Sequence, residues 1–295
     1  MIPYCQHEEY EAIEKLGEGG FGSVYKVINV RTRRIYAMKT TTALNKENLD
    51  SISQSFYRDV RALHMMNDTF VTPNIYCFNN EGPRYYFIMD YIPGKSLKHV
   101  PNTLVNVRNA LSKLAMSINE LHQRGLIWLD VKMDNIIYYE GNIKIVDFGF
   151  SVTKDDGPSI IGGTVMYLSP EHLKYFRMDR KKLMPTSVFD ESSDWFSYGV
   201  IFYILNGRLL NNGKRYYPYE VIDETSIEPL YTKDEDYIKV YRWIQTKPEG
   251  YDNDAWNLSR IFLFQDKRIR FGSKLVPYNI YDLLNHPYFK LRNKY

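Results

Sequence analysis

The stretch Ile127-Trp128-Leu129-Asp130-Val131-Lys132-Met133-Asp134-Asn135, followed by Asp147-Phe148-Gly149 twelve residues after the asparagine, decides how this chain is read. It offers Asp130 as proton acceptor for a hydroxyl and Lys132 as an amine that neutralises phosphate charge. The Asn135 amide and the Asp147 carboxylate supply ligands for Mg²⁺. Transfer of a phosphoryl group from ATP to an alcohol asks for this inventory, because its catalysis is mostly positioning and charge neutralisation. Few other chemistries want this set at this spacing.

Upstream, Gly17-Glu18-Gly19-Gly20-Phe21-Gly22-Ser23-Val24 falls between two segments of strand character. Glycines permit positive φ and a close backbone approach to phosphate oxygens. Read alone, the run fits a flexible hairpin as well as a phosphate loop. A dinucleotide-binding loop would open a helix, whereas residues 23–27 read as a strand. Lys39, in Tyr36-Ala37-Met38-Lys39, lies on the next strand between apolar neighbours, where its amine can reach phosphates beneath the loop.

The rest of the first ninety residues reads as strands around one helix. Residues 10–17, 23–30 and 35–41 are short, β-branched and aromatic, and separated by turn signals. Residues 49–66 carry Ile52, Phe56, Val60 and Leu63 at helical spacing. Two more strands are expected at 75–78 and 84–91. After Pro93-Gly94-Lys95 the character becomes helical. Leu104, Val107, Leu111, Leu114, Ala115, Ile118 and Leu121 make one apolar stripe. A mostly apolar helix over 193–206 is expected to end at Gly207, and further helices are expected over 238–245, 257–264 and 278–285. The class is α+β: a small β-rich lobe at residues 1–91 and a larger helical lobe at 92–295, hinged at 91–95.

Composition sets the bounds. A chain of 295 residues with 44% hydrophobic and 25% charged content builds a sizeable core. A net charge of +3 gives no case for direct nucleic-acid binding. Two cysteines, Cys5 and Cys77, make a disulfide framework unexpected and fit a reducing compartment. The N-terminus lacks the basic and apolar regions of a signal peptide, and no apolar run approaches the length of a membrane span. An intracellular protein is expected, cytoplasmic or nuclear. The 26 tyrosines, with abundant asparagine, lysine and isoleucine, fit an AT-rich genome such as a virus, in which case the compartment is the host cell's.

Taken together, these segments resemble the eukaryotic-type protein kinase family, from the glycine loop to Asn285-His286-Pro287-Tyr288-Phe289. The resemblance implies a bilobal kinase-like fold, ATP with Mg²⁺ (or Mn²⁺), and protein substrates. It implies that Gly17, Gly19, Gly20, Phe21 and Gly22 cover the nucleotide and that Lys39 pairs with its phosphates. Asp130 would orient or deprotonate the acceptor hydroxyl, Lys132 would neutralise the transferring group, and Asn135 and Asp147 would hold the metal. In Ile88-Met89-Asp90-Tyr91-Ile92, Met89 would back the adenine pocket and the backbones of Asp90 and Ile92 would bond adenine. Val24 and Ala37 would stack on its rings, and Ser96 stands where many relatives place a ribose-contacting acid. Gly163-Thr164-Val165-Met166-Tyr167-Leu168-Ser169-Pro170-Glu171 resembles the end of the family's activation segment. Glu171 would pair with Arg270 or, alternatively, Arg268, and Asp194 resembles the helix acid that braces the catalytic loop. Lys132, together with a Thr164 hydroxyl bridging Asp130 and Lys132, favours serine or threonine acceptors over tyrosine. Asp134 would attract a basic residue ahead of the acceptor, or is simply solvated.

The pattern departs from the family at two sites. Trp128-Leu129-Asp130 replaces His-Arg-Asp; the missing arginine is the one that pairs with an activation-loop phosphate in relatives. Activity independent of such phosphorylation is therefore expected, although Ser151, Thr153 and Ser159 are available acceptors. The helix acid that should pair with Lys39 is Asp59, one methylene shorter than the usual glutamate. With no regulatory extension evident around the core, control is expected from a partner, from localisation or from expression timing. Two other readings stay open: a pseudokinase scaffold, motivated by Trp128, Leu129 and Asp59, and a small-molecule kinase of related fold, disfavoured by the 163–171 segment.

Overall fold

The computed structural model describes residues 2–5, 9–158, 162–178, 184–210, 247–264, 266–276 and 278–290. The helix expected over 238–245 lies outside them, as does Ser159.

A five-stranded antiparallel sheet opens the chain: β1 (Tyr10–Gly19), β2 (Gly22–Asn29), β3 (Ile35–Thr41), β4 (Ile75–Asn79) and β5 (Tyr86–Asp90), in the order β1-β2-β3-β5-β4. Its register sorts the side chains. Paired residues share a face, so the pairs Val24–Lys39, Ala37–Met89 and Lys39–Phe87 set Val24, Ala37, Lys39, Phe87 and Met89 on one side. The other face buries Val27, Cys77, Tyr86 and Ile88 with Cys5. The amphipathic helix α1 (Leu49–Met65) packs Ile52, Phe56, Val60 and Leu63 against the first face.

Cys5 and Cys77 are joined by a disulfide, against the sequence expectation. The cause is a short N-terminal segment that runs parallel to β4: the Cys5 amide donates to the Phe78 carbonyl and the Phe78 amide to the Pro3 carbonyl. Two cysteines 72 residues apart are thereby brought face to face, and the cysteine count no longer argues for a reducing compartment.

Beyond the hinge, β6 (Lys95–Ser96), β8 (Ile136–Tyr139) and β9 (Asn142–Ile145) form a small sheet, and β7 (Leu126–Ile127) pairs with β10 (Val152–Thr153). The helices are α2 (Leu104–Gln123), α3 (Pro170–Met178), α4 (Glu191–Leu210), α5 (Asn253–Phe262) and α6 (Ile280–Leu284). Thr103 caps α2 by accepting from the Asn106 amide. Gly207 does not end α4 as expected: the helix is buried from Ser192 through Gly207 and continues to Leu210, packing overriding the stop signal. Gly199 is required there, because a Cβ would sit 2.5 Å from Phe262 Cβ of α5. Helix α5 starts earlier than periodicity suggested because the Asp252 carboxylate caps it, accepting from the Ala255 amide at 2.8 Å. No helix among the described residues is long and apolar enough to cross a membrane.

One apolar cluster joins the two parts, from Ala37, Phe56 and Phe87 through Leu63, Phe148 and Trp128 to the inner faces of α2 and α4. It lies under the loop that carries Asp130 and so fixes the floor of the cleft.

Candidate active site

The catalytic loop is held from below. Asp194, fully buried at the start of α4, accepts the backbone N–H groups of Trp128 and Leu129, each at 2.8 Å, one on each carboxylate oxygen. His122 of α2 bonds the same carboxylate at 2.9 Å. These bonds support the unusual turn at Leu129, whose φ is +64°. A non-glycine residue in that region is strained unless its surroundings fix it.

Asp130 and Lys132 meet directly, Lys132 Nζ to Asp130 Oδ2 at 2.7 Å. Asn135 Nδ2 donates to the same Asp130 oxygen at 2.8 Å and to the Asp130 carbonyl at 3.1 Å. Burial pushes the Asp130 carboxyl up to about 6, against the pull of Lys132. That is the direction a proton acceptor needs. The bridge expected of Thr164 is not formed among the described hydrogen bonds. Asp134 pairs with Lys98 at 2.9 Å while its side chain stays 47% exposed.

On the opposite side, Lys39 Nζ lies 2.6 Å from Asp59 Oδ2 and 3.1 Å from Asp147 Oδ1. Burial disfavours the ammonium, but the two carboxylates outweigh it and hold Lys39 above its ordinary value. Asp59 reaches Lys39 although it is short, and its other oxygen accepts the Phe148 amide at 2.6 Å. Burial nevertheless raises the Asp59 carboxyl to about 6. Asp147 moves the other way: burial opposes its charge, yet Lys39 beside it keeps the carboxyl below its ordinary range. Its φ is +67°, and its side chain stays 44% exposed, facing the cleft.

Trp128 does not plug the cleft. The ring is fully buried beneath Phe148, with centroids 5.8 Å apart, and the indole N–H donates to the Asp147 carbonyl at 2.7 Å. A tryptophan in a core needs such a partner, and here the partner belongs to the residue the site must orient. Leu129, standing where relatives carry arginine, packs with Val152, Met184 and Phe189 in a separate apolar cluster.

The glycine loop contributes space rather than unusual dihedrals. None of Gly17, Gly19, Gly20 and Gly22 adopts positive φ, contrary to expectation. A Cβ on the first three would meet nothing within 4 Å, whereas one on Gly22 would strike the Thr40 carbonyl at 1.8 Å. At the loop tip the Phe21 ring meets Phe150 edge-on, with centroids 5.3 Å apart.

In the adenine region, Met89 is buried in the core and Ala37 lies opposite it on β3. The Asp90 N–H is spent on the Asn74 carbonyl, and its carboxylate on Tyr76 and the Asn74 amide. The Ile92 carbonyl accepts from Gly94. Ser96 donates its only proton to the Met133 carbonyl at 2.8 Å and accepts from the Lys98 amide, so it can offer a ribose nothing but a lone pair.

The activation-segment end is anchored. Arg270, fully buried, grips Glu171 with two nitrogens at 2.7 and 3.0 Å. Burial would raise the Glu171 carboxyl, but Arg270 pulls it below its ordinary value. Of the two arginines the sequence allowed, Arg270 is the partner; Arg268 pairs with Asp266. Ser151 is fully buried, which removes it as an accessible acceptor.

The donor set suits a hard divalent cation. Asn135 spends its amide nitrogen on Asp130, which leaves its oxygen free, and Asp147 is open to the cleft on one side. One or two such oxygens, completed by water and phosphate, are how Mg²⁺ is commonly held beside nucleotides.

Sequence reasoning missed Arg61, which bonds Asp156 with both terminal guanidinium nitrogens at 2.5 and 2.6 Å. The only available signal was the basic pair Arg58 and Arg61, one helical turn apart and flanking Asp59.

Comparison with known sequences places this geometry. The family described as protein kinase domain matches residues 10–289. The human ribosomal protein S6 kinase alpha-2 is 32% identical over 219 residues, covering 70% of this chain and 28% of the relative. Human ribosomal protein S6 kinase alpha-1 is 33% identical over 218 residues, with coverage of 70% and 28%. The Gallus gallus ribosomal protein S6 kinase 2 alpha is 32% identical over 219 residues, with coverage of 70% and 27%. The matched region thus spans little more than a quarter of these relatives' length.

Proposed function

Because this chain belongs to the eukaryotic-type protein kinase family, whose members use ATP and a divalent metal, we propose that it is an active serine/threonine kinase that transfers the γ-phosphoryl group of Mg²⁺-ATP to protein hydroxyls. The observation that carries this reading is the convergence of two triads on one cleft. Lys39, Asp59 and Asp147 form one, and Asp130, Lys132 and Asn135 the other.

In this mechanism Asp130 accepts the hydroxyl proton as the oxygen attacks, a role worth roughly 10²–10⁴-fold. Lys132, bonded to Asp130 at rest, turns to the transferring group and offsets its charge. Lys39, held by Asp59, presents its ammonium to the nucleotide phosphates. Mg²⁺, bound through Asn135 and Asp147, would neutralise charge on the phosphate oxygens. The acceptor class rests on Lys132 and on the similarity to proteins named ribosomal protein S6 kinases. Phosphorylation of the activation segment is not required, since Leu129 sits in an apolar cluster and offers a phosphate nothing.

Incubation with radiolabelled ATP and serine, threonine and tyrosine peptides tests the reading, with nucleotide-dependent thermal shift in parallel. Label on serine or threonine, lost in Lys39→Met and Asp130→Ala, is expected. A thermal shift without transfer would mark a scaffold instead. Phosphatase treatment should leave the rate unchanged, and a large loss would overturn that part.

A further inference from the structure

Helix α1 carries Asp59 to Lys39, and three of its side chains bond the segment after Asp147. Asp59 takes the Phe148 amide at 2.6 Å, Arg58 donates to the Gly149 carbonyl at 3.4 Å, and Arg61 takes Asp156 with two parallel bonds. The last is the strongest, being charged and two-pronged. Asp156 is itself fixed. Its carboxylate also accepts the Thr153 amide at 2.7 Å, its own amide bonds the Thr153 carbonyl at 3.1 Å, and its carbonyl accepts the Thr186 hydroxyl at 2.6 Å. Thr153 belongs to β10, which pairs with β7 just ahead of the catalytic loop. A continuous path therefore runs from α1 through Asp156 to the loop bearing Asp130.

We infer that Arg61 and Asp156 are positioning residues: an acid built into the activation segment clamps α1 so that the short Asp59 side chain reaches Lys39 without any modification of the segment. This deepens the phosphorylation-independent reading above and rests on it. The need is physical. Aspartate gives the Lys39 pair one methylene less reach than glutamate, so a small outward swing of α1 would break a 2.6 Å contact. Leu129 supplies no charge to hold the segment, and the charged tie has moved to the helix. Asp156 behaves as a paired acid: burial opposes its charge, but Arg61 holds the carboxyl below its ordinary range.

The test uses the full chain. Asp156→Asn, nearly isosteric but uncharged, should lower kcat about tenfold, which corresponds to about 1.4 kcal/mol, with KM for ATP changing much less. Asp156→Glu should retain most activity. The double change Arg61→Ala with Asp156→Asn should cost little more than the larger single loss, because both remove the same tie. Amide hydrogen exchange over residues 53–63 should quicken alike in Arg61→Ala and in Asp156→Asn. Unchanged kcat and unchanged exchange in Asp156→Asn would overturn the clamp, as would fully additive losses in the double change. If the parent chain transfers no phosphate but exchange over α1 still responds as stated, the kinase reading fails while the clamp stands.

Discussion

The two halves of the cleft are built to different standards. The catalytic-loop half hangs on groups withdrawn from water: Asp194, Trp128 and Arg270 are all fully buried, and α4 behind them has no open face over most of its length. The glycine-loop half is looser. Strand β1 is exposed along nearly its whole run, and the Arg61–Asp156 tie keeps 37% and 19% side-chain exposure. The difference teaches where control can act. Asp130 is set in place when the chain folds, whereas the alignment of Lys39 depends on contacts that water and partners can reach.

The largest expected effect lies on the rigid side. Asp130→Asn should lower kcat by roughly 10²–10⁴-fold while nucleotide-induced thermal shift persists; if the shift vanished too, the halves would not be separable. Arg270→Ala should cost about 3–5 kcal/mol in urea unfolding, because it strands a buried carboxylate. The pH dependence follows with a definite sign. Arg270 depresses Glu171 below its ordinary value of 4.5, so the pair's stability is present above that value and is lost as pH falls through the lower folded value. Glu171→Gln should therefore flatten the acid limb of the stability profile. Trp128→Phe keeps the ring against Phe148 but removes the donor to the Asp147 carbonyl, and about 1–3 kcal/mol of stability should go with it. The smallest effect belongs to the loose side. Phe21→Ala removes an edge-on contact worth about 0.5–1.5 kcal/mol, so KM for ATP should rise a few-fold with kcat less affected. Adding Phe150→Ala should then cost little more, and an additive pair would show that the two rings act separately.

Much of this architecture was legible beforehand, for reasons of range. Periodicity encodes local structure, so α1 and the five strands of the first sheet emerged within a few residues of their positions. Ordered motifs encode chemistry, so Lys39, Asp59, Asp130, Asn135 and Asp147 were singled out, and the structure brings them together. Contacts between distant segments were not legible. The Cys5–Cys77 bond depends on how the N-terminal segment lies along β4. Arg61 and Asp156 are 95 residues apart and share no pattern. Gly207 misled because a helix surrounded by apolar neighbours has more to gain by continuing than by stopping. The Lys98–Asp134 pair was likewise hidden, because its partners are remote in sequence.

The segment pinned along β4 has a consequence for how copies of the molecule meet. Residues 3–5 take the amide and carbonyl of Phe78, so this part of the β4 margin is already occupied. The opposite end is β1, ten residues long and open, but studded with Glu11, Glu14, Lys15 and Glu18. Charged side chains on an outer strand discourage strand-to-strand polymerisation. One margin is partly taken by the chain itself and the other is guarded by charge, and both features work against sheet extension into a fibre.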